Sequence, residues 1–168
     1  MADLTKGVIV ILSGGLFDEM NPQEVLNFLN LGTMTAKVST ASLDGVPHVA
    51  PVWFVVDHDP SSSGNKDFTV IFTTFHNSVK ARHLISNPKI CLSVDDQKPP
   101  FSFIILNGIA EIDQQPNHDE LLRLTSRIAE RYMGKENAEK YGKRNAVKGE
   151  CIIKIKPSKI IAQKNVSE

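Results

Sequence analysis

Residues 35–57 read TAKVSTASLDGVPHVAPVWFVVD and combine strand-like alternation with turn chemistry. Small, branched and apolar residues alternate from Thr35 to Leu43, and the segment from Val46 to Asp57 is branched and aromatic. Between them, Asp44-Gly45 can adopt the positive φ values of a tight turn. The sequence therefore predicts a β-hairpin at this place.

Further strands are expected after a polar segment, Pro60-Ser61-Ser62-Ser63-Gly64-Asn65, which has the composition of a loop. Because branched and aromatic residues are enriched in strands, four more segments have strand character. They are Phe68 to Phe75, Ile90 to Val94, Phe101 to Ile112 after Pro99-Pro100, and Cys151 to Ile155 before Pro157. We expect about six strands.

Helix starts are marked by capping residues. Asn21 precedes Pro22 and Glu24 and predicts a short helix to about Leu29. Ser78 caps a second helix to about Ile85, before Asn87-Pro88. A second cap of the Asn21 type begins at Asn117, and the longest helix extends from there to about Tyr132 on the spacing of its apolar residues. Helix-permissive residues fill 135–148.

Short turns between most strands, with helices inserted, favour an α+β fold built on an antiparallel split β-barrel with peripheral helices. Strand and helix do not alternate regularly enough for a doubly wound parallel sheet. Ser13-Gly14-Gly15 lacks the partner residues of a dinucleotide-binding or P-loop motif. With 168 residues and no internal repeat, the chain is expected to form one domain over 1–168, with a core at about 29–157.

Composition limits the partners. The 19 basic and 19 acidic side chains cancel, so we expect neither nucleic-acid nor membrane binding. The apolar run from Val8 to Leu12 is too short to span a membrane and lacks the features of a signal peptide, which predicts a soluble, cytoplasmic protein. Cys91 and Cys151 are expected to be buried free thiols. The five histidines fit no metal-ligand spacing, so no metal site is assigned.

The residues with the clearest chemical potential follow the strand that ends in Thr73-Thr74. Ser78 begins the next helix, and Lys80 lies in its first turn. Amides at a helix N-terminus, hydroxyl groups and an ammonium group suit a phosphate. Taken alone, an ordinary helix cap and a solvated lysine explain the same residues.

Pro51 gives a second indication. Since proline lacks an N–H donor, it belongs on an edge strand or at a bulge, where free backbone groups can meet a planar ring. Trp53 is placed to cover such a ring, although a tryptophan in a strand is also a common core residue.

The order of these segments resembles the pyridoxamine 5′-phosphate oxidase-related FMN-binding split-barrel family, including its deazaflavin-dependent branch. The resemblance extends over roughly 29–157 and rests on several segments read together. They are Ala41 to Phe54, Phe72-Thr73-Thr74, Ser78-Val79-Lys80 with Leu84, Asn87-Pro88-Lys89-Ile90, Phe103 to Ile112, Arg131-Tyr132-Met133-Gly134, and Ile152 to Pro157.

The resemblance implies a homodimer with the flavin, FMN, in the crevice between two barrels. The phosphate would be held by Thr73, Thr74, Ser78 and Lys80, with Val79 between the last two. Backbone of Val52, Trp53 and Phe54, following Pro51, would line the isoalloxazine ring, and the catalytic residues stay unknown. The chain departs from the vitamin B6 oxidase at three phosphate-binding cations, where it has Ala50, Val55 and Val79. It also lacks that enzyme's C-terminal arginine and histidine, so pyridoxamine-phosphate oxidation is not expected.

Three functional hypotheses follow. The first is an FMN-dependent oxidoreductase acting on a small organic substrate. The second keeps the fold and the reaction type but uses the deazaflavin coenzyme, whose longer phosphodiester tail suits a groove with fewer cations. The third is a flavin- or haem-binding protein without turnover. A structural protein with no ligand would leave the threonine, serine and lysine pattern as chance.

Overall fold

The computed structural model describes residues 10–11, as backbone only, together with 18–58 and 67–167. The predicted loop at 60–65 and Ser13-Gly14-Gly15 lie outside the described residues. The helices are α1 (Pro22–Leu29), α2 (Val79–Ser86), α3 (His118–Met133) and α4 (Ala138–Asn145), with a short 3-10 helix at Lys135–Asn137. The strands are β1 (Val10–Ile11), β2 (Asp18–Glu19), β3 (Ala36–Ala41), β4 (Pro47–Val52), β5 (Val55–His58), β6 (Phe68–Phe75), β7 (Lys89–Asp95), β8 (Phe103–Asp113) and β9 (Glu150–Lys164).

Seven strands form one antiparallel path in the order β4-β3-β7-β8-β9-β6-β5. The strands at the two ends of this path, β4 and β5, are consecutive in the chain and are separated only by Trp53 and Phe54. Val52 and Val55 therefore lie within about 11 Å of each other. A sheet whose two ends meet must curl into a barrel, which confirms the predicted α+β barrel.

The last strand is longer than predicted. The sequence indicated that β9 would end before Pro157, and this was wrong, because β9 continues to Lys164. A register shift between Asn107 and Gly108 of β8 lies opposite Pro157, so the proline occupies an irregularity in the ladder. The second half of β9 also pairs with β1 and β2.

The hydrophobic core has two parts. The barrel interior holds alternate residues of the strands, among them Val38, Phe72, Leu92, Leu106 and Ile153. A second cluster joins the outer face of β5, β6 and β9 to the apolar stripe of α3, and its members are Val55, Ile71, Leu121, Ile128, Ala146 and Ile152. Strands β5, β6 and β9 are thus covered on both faces where α3 crosses them.

Local capping chemistry explains where the helices begin. Asn21 and Glu24 form the predicted capping box at α1. Ser78 caps α2 by accepting from the amide of Ala81 at 3.2 Å. At α3 the prediction of a second cap of the Asn21 type was wrong in part, because Asn117 accepts from Asp119 while Glu120 pairs with Lys154 of β9 at 3.3 Å. A tertiary ion pair has replaced the local hydrogen bond that Glu120 would make to the amide of Asn117.

Within the described ranges, no helix is both long and apolar enough to cross a membrane. The same ranges contain no group of three or more histidine, cysteine, aspartate or glutamate side chains placed to hold a metal ion. Cys91 and Cys151 are free thiols, and burial raises the pKa of both. Cys151 is buried, as predicted, whereas Cys91 is half-buried.

Candidate functional site

Strand β6 ends where the turn to α2 begins, and the two threonines there point to opposite faces. The Thr74 side chain is buried, and its hydroxyl lies 3.0 Å from the hydroxyl of Ser78. Thr73 lies on the outer face of the sheet, because successive strand residues alternate. Thr74 and Ser78 therefore hold the turn together, and Thr73 is the threonine available to the outer face.

Lys80, Thr73 and Glu150 form a polar cluster on that outer face. Burial raises the pKa of Glu150, against the effects of the Thr73 hydroxyl and Lys80, which both favour the ionised form of this carboxylate. Burial lowers the pKa of the Lys80 ammonium, and the negative charge of Glu150 offsets this in part. Among the described residues, no carboxylate lies within salt-bridge distance of Lys80, so Glu150 acts on the ammonium from farther away.

The first turn of α2 adds backbone donors. Ser78 accepts from the amide of Ala81 through its side chain and from the amide of Arg82 through its carbonyl. No described residue accepts from the amides of Val79 or Lys80, which occupy the first two helical positions. The first turn of α2 thus carries two free amides together with the half-buried side chain of Lys80, a combination that favours an anion.

The predicted strand over 46–57 is interrupted at Trp53-Phe54, which corrects the sequence expectation. Two side chains of α3 hold this link. The Phe54 amide donates to the Tyr132 hydroxyl at 3.2 Å, and the Phe54 carbonyl accepts from Arg131 Nη1 at 3.0 Å. Because both polar groups of Phe54 are used by side chains, the backbone leaves the sheet ladder there.

Arg131 binds more than Phe54. Its Nη2 donates to the Leu29 carbonyl at 2.7 Å and its Nε donates to the Gly32 carbonyl at 3.0 Å. The guanidinium carbon also lies 4.4 Å from the centroid of the Phe54 ring. Burial lowers the pKa of Arg131. One arginine therefore joins α3 to the end of α1 and to the link between β4 and β5.

Trp53 packs outward rather than into the barrel. Its indole stacks on the Tyr132 ring, with centroids 4.9 Å apart and planes inclined by 2°. The Tyr132 hydroxyl donates to the Met34 carbonyl at 2.8 Å, and burial raises the pKa of this phenol. The sequence predicted that Trp53 would cover a planar ring. In the structure, Tyr132 already covers one face of the Trp53 indole.

The two predicted parts of the site are neighbours. Strands β5 and β6 pair with Val55 opposite Ile71. Trp53 precedes Val55 by two residues and Thr73 follows Ile71 by two residues, so both lie beyond the same end of this strand pair. The link at 53–54 and the polar cluster at the end of β6 therefore lie near the same end of the β5–β6 pair.

A groove of about 800 Å³ adjoins the polar cluster. It is lined by Gln114, Gln115 and Pro116 after β8, by His118 and Leu121 of α3, by residues 147–149 before β9, by Glu150 of β9 and by His76. Glu150 lines the groove and also interacts with Thr73, so it lies at the boundary between the two. The lining includes two glutamines, two histidines and Lys148.

His76 is held in one orientation at the groove. Its Nδ1 lies 3.1 Å from the Gly149 carbonyl, and since a carbonyl only accepts, Nδ1 carries the proton. Gly149 has φ of +94°, and a Cβ there would lie 2.7 Å from the same ring nitrogen. The Nε2 atom of neutral His76 is consequently an acceptor.

The structure thus brings together most of the predicted residues and adds three. Pro51 lies on β4, which is an edge strand as its two prolines require. Val52 and Phe54 are buried, whereas Val79 and Lys80 are half-buried. Glu150, Arg131 and Tyr132 were missed as site residues. The last two lie within a segment that carried the family resemblance, while Glu150 reaches the site only through the pairing of β9 with β6.

The family model for pyridoxamine 5′-phosphate oxidase matches residues 22–164, more than four-fifths of the chain. No curated protein matches the sequence. Among solved structures, the conserved hypothetical protein Rv2991 from Mycobacterium tuberculosis is 20% identical with a TM-score of 0.71, covering 93% of this chain and 92% of that one.

Two further solved structures differ in what their names say of them. One named F420 reductase is 23% identical with a TM-score of 0.54, covering 79% of this chain and 92% of that one. HutZ, the heme storage protein from Vibrio cholerae, is 12% identical with a TM-score of 0.61, covering 86% of this chain and 96% of that one. At these identities the likeness concerns the fold. Together with the family match and the barrel geometry, it establishes that the chain belongs to the pyridoxamine 5′-phosphate oxidase family of split-barrel proteins.

Proposed function

We propose that this protein is a flavin-dependent oxidoreductase that holds the phosphate of its cofactor at the N-terminus of α2 and acts on a small organic substrate. The observation that carries the proposal is the half-buried Lys80 ammonium beside two free helix amides, next to the Trp53-Phe54 link. Membership of a flavin-binding family and the solved structure named F420 reductase support the same class of cofactor.

The phosphate end of such a cofactor fits these residues. A half-buried ammonium without a salt bridge gains from a second charge partner, and helix amides donate to phosphate oxygens. Val79 and Lys80 would supply the amides, Lys80 the charge and Thr73 a hydroxyl. Thr74 and Ser78 would support the turn from behind, since their hydroxyls already bond to each other.

The ring end fits in a narrower sense than the sequence suggested. The amide and carbonyl of Phe54 are taken by Tyr132 and Arg131, so they are not free for a ligand. Backbone of Pro51, Val52 and Trp53 on the open side of β4 would line the ring. A bound flavin supplies two-electron redox chemistry, and the task of the protein is to position it and to shield it from water.

FMN is the first candidate cofactor, as expected from the sequence, and the deazaflavin coenzyme is the second. The observation that favours the second is the Glu150 carboxylate, which shares the cluster with Lys80 and weakens its attraction for a strongly charged phosphate. The chain also lacks three phosphate-binding cations of the vitamin B6 oxidase, at the positions of Ala50, Val55 and Val79, and their absence likewise favours the deazaflavin coenzyme.

A homodimer belongs to the same proposal. Strand β4 has no strand partner on one side among the described residues, and the surface around it is apolar. The side chains of Leu43, Val46 and Val49 are 78%, 56% and 62% exposed. A second copy packed there would bury this surface and would close the open side of the ring site.

Flavin fluorescence titration tests the proposal. We expect FMN, or a flavin bearing a phosphodiester, to bind at micromolar or tighter affinity, and riboflavin, which lacks the phosphate, at least tenfold more weakly. If riboflavin bound as tightly as FMN, the N-terminus of α2 would not be a phosphate site. Bound flavin that no nicotinamide donor reduces would instead favour a protein without turnover, the class to which the name of HutZ assigns that neighbour.

A further inference from the structure

The Lys80 ammonium and the Glu150 carboxylate place nearly zero net charge at the cradle, by which we mean Thr73, Lys80 and the amides of Val79 and Lys80. Glu150 begins β9 opposite Phe75, the last residue of β6, so its side chain stands on the outer face beside Thr73. The Thr73 hydroxyl and the Lys80 ammonium both favour the ionised form of this carboxylate. A ligand phosphate bound in the cradle would therefore meet a positive and a negative group together.

Glu150 is separated from bulk water more than a surface glutamate is. It is half-buried, between the cradle on one side and the groove of about 800 Å³ on the other. Charges in such a position are screened less than exposed ones. The other cation on the groove side, Lys148, is exposed, so its effect on the cradle is weaker.

The charge of the ligand phosphate determines how strongly Lys80 attracts it and Glu150 repels it. A phosphomonoester carries close to two negative charges above pH 7, because its second pKa is about 6, whereas a phosphodiester carries one. Near a protein surface, each extra unit charge a few ångströms from a carboxylate changes affinity by roughly tenfold. Specificity of this kind arises from a repulsive group as much as from an attractive one.

The groove gives a second, independent reason. A phosphomonoester ends at the phosphate and leaves the groove beyond Glu150 empty. A phosphodiester has another substituent, and the groove next to the cradle offers it space with polar side chains, among them Gln114, Gln115 and His76 Nε2. Room for a second substituent and a carboxylate that opposes a second charge both point to the same ligand group.

We propose that Glu150 is a specificity-determining residue that disfavours a doubly charged phosphomonoester and so selects a cofactor bearing a singly charged phosphodiester, whose second substituent enters the groove. This inference rests on the proposed function, because it concerns the same phosphate site. It assigns no catalytic role to Glu150.

Three probes that share the isoalloxazine ring separate the effect of the phosphate from the effect of its second charge. They are FMN, its phosphate monomethyl ester and riboflavin. Each is titrated at pH 7.5 into the wild-type protein and into Glu150→Gln, Glu150→Asp and Glu19→Gln. Glu19 is the matched control, because it is an exposed glutamate paired with Gln163 at the far end of β9. Glu150→Asp keeps the charge and shows whether a change at this position affects folding.

The wild-type protein is expected to bind FMN and its methyl ester with similar affinity, because Glu150 offsets the attraction of Lys80 for the second phosphate charge. In Glu150→Gln the ratio of FMN affinity to ester affinity should rise about tenfold, mainly through tighter binding of FMN, while Glu150→Asp and Glu19→Gln keep the wild-type ratio. An unchanged ratio in Glu150→Gln, with phosphate-dependent binding retained, would overturn the role of Glu150 and leave the proposed function standing. Binding of none of the three flavins by any folded variant would overturn the proposed function itself.

Discussion

Replacing Arg131 by alanine tests how α3 holds the link between β4 and β5. The side chain donates to the carbonyls of Leu29, Gly32 and Phe54. Gly32 is exposed, so water can replace the guanidinium there, but Leu29 and Phe54 are fully buried. A buried carbonyl left without a donor costs roughly 1–3 kcal/mol, so two of them predict a loss of roughly 2–6 kcal/mol.

Urea denaturation followed by circular dichroism measures this loss in the free energy of unfolding. Arg123→Ala, an exposed position on the same helix, is the control and should change stability by less than about 0.5 kcal/mol. Arg131→Lys should recover only part of the loss, because one ammonium cannot reach carbonyls on three segments. A loss below about 1 kcal/mol in Arg131→Ala would show that the buried carbonyls of Leu29 and Phe54 do not depend on this side chain.

Three other predictions concern the cofactor, the strand irregularity and the dimer. Lys80→Ala should weaken FMN binding by about 1.5–3 kcal/mol, as expected for a charge-assisted phosphate contact, whereas the exposed Lys89→Ala should leave it unchanged in the same fluorescence titration. Gly108→Ala should cost about 1–3 kcal/mol in urea denaturation, because a Cβ there would lie 2.6 Å from the Lys156 carbonyl oxygen, and a neutral effect would contradict this close approach. Val49→Lys should shift the protein from dimer to monomer in sedimentation velocity, and a dimer that survives this change would place the interface elsewhere.

Elements with local signals were predictable from the sequence. Strand β6 has the predicted bounds, and α1 begins at the predicted cap, because alternation, proline and capping residues act within a few positions. The opposite directions of Thr73 and Thr74 also follow from strand periodicity. That signal was available in the sequence, although the phosphate hypothesis placed both hydroxyls in one site.

The incorrect predictions have long-range causes. The strand is interrupted at Trp53-Phe54 because the backbone amide and carbonyl of Phe54 form hydrogen bonds with Tyr132 and Arg131, almost eighty residues later in the chain. Strand β9 continues past Pro157 because its second half pairs with β8 around an irregularity at Gly108. The residues next to Trp53-Phe54 and to Pro157 contain no local sequence signal for either contact.

The candidate site also combines residues with a local sequence signal and a residue placed by a long-range contact. Its helix N-terminus is local and was recognised from Ser78 and Lys80. Its opposing carboxylate is not, since Glu150 comes to Thr73 only when β9 pairs with β6. Residues that determine specificity are often of this second kind, because they are supplied by another element of the fold.

We propose that the N-terminus of α2 binds the phosphate of a flavin or deazaflavin, and the visible absorption spectrum of the freshly purified protein tests this binding. The spectrum is recorded before and after incubation with FMN or the deazaflavin coenzyme and removal of the excess. We expect that at least one of the two is retained in near-stoichiometric amount and is lost in Lys80→Ala. A folded, colourless protein that retains neither would show that the N-terminus of α2 is not a flavin phosphate site.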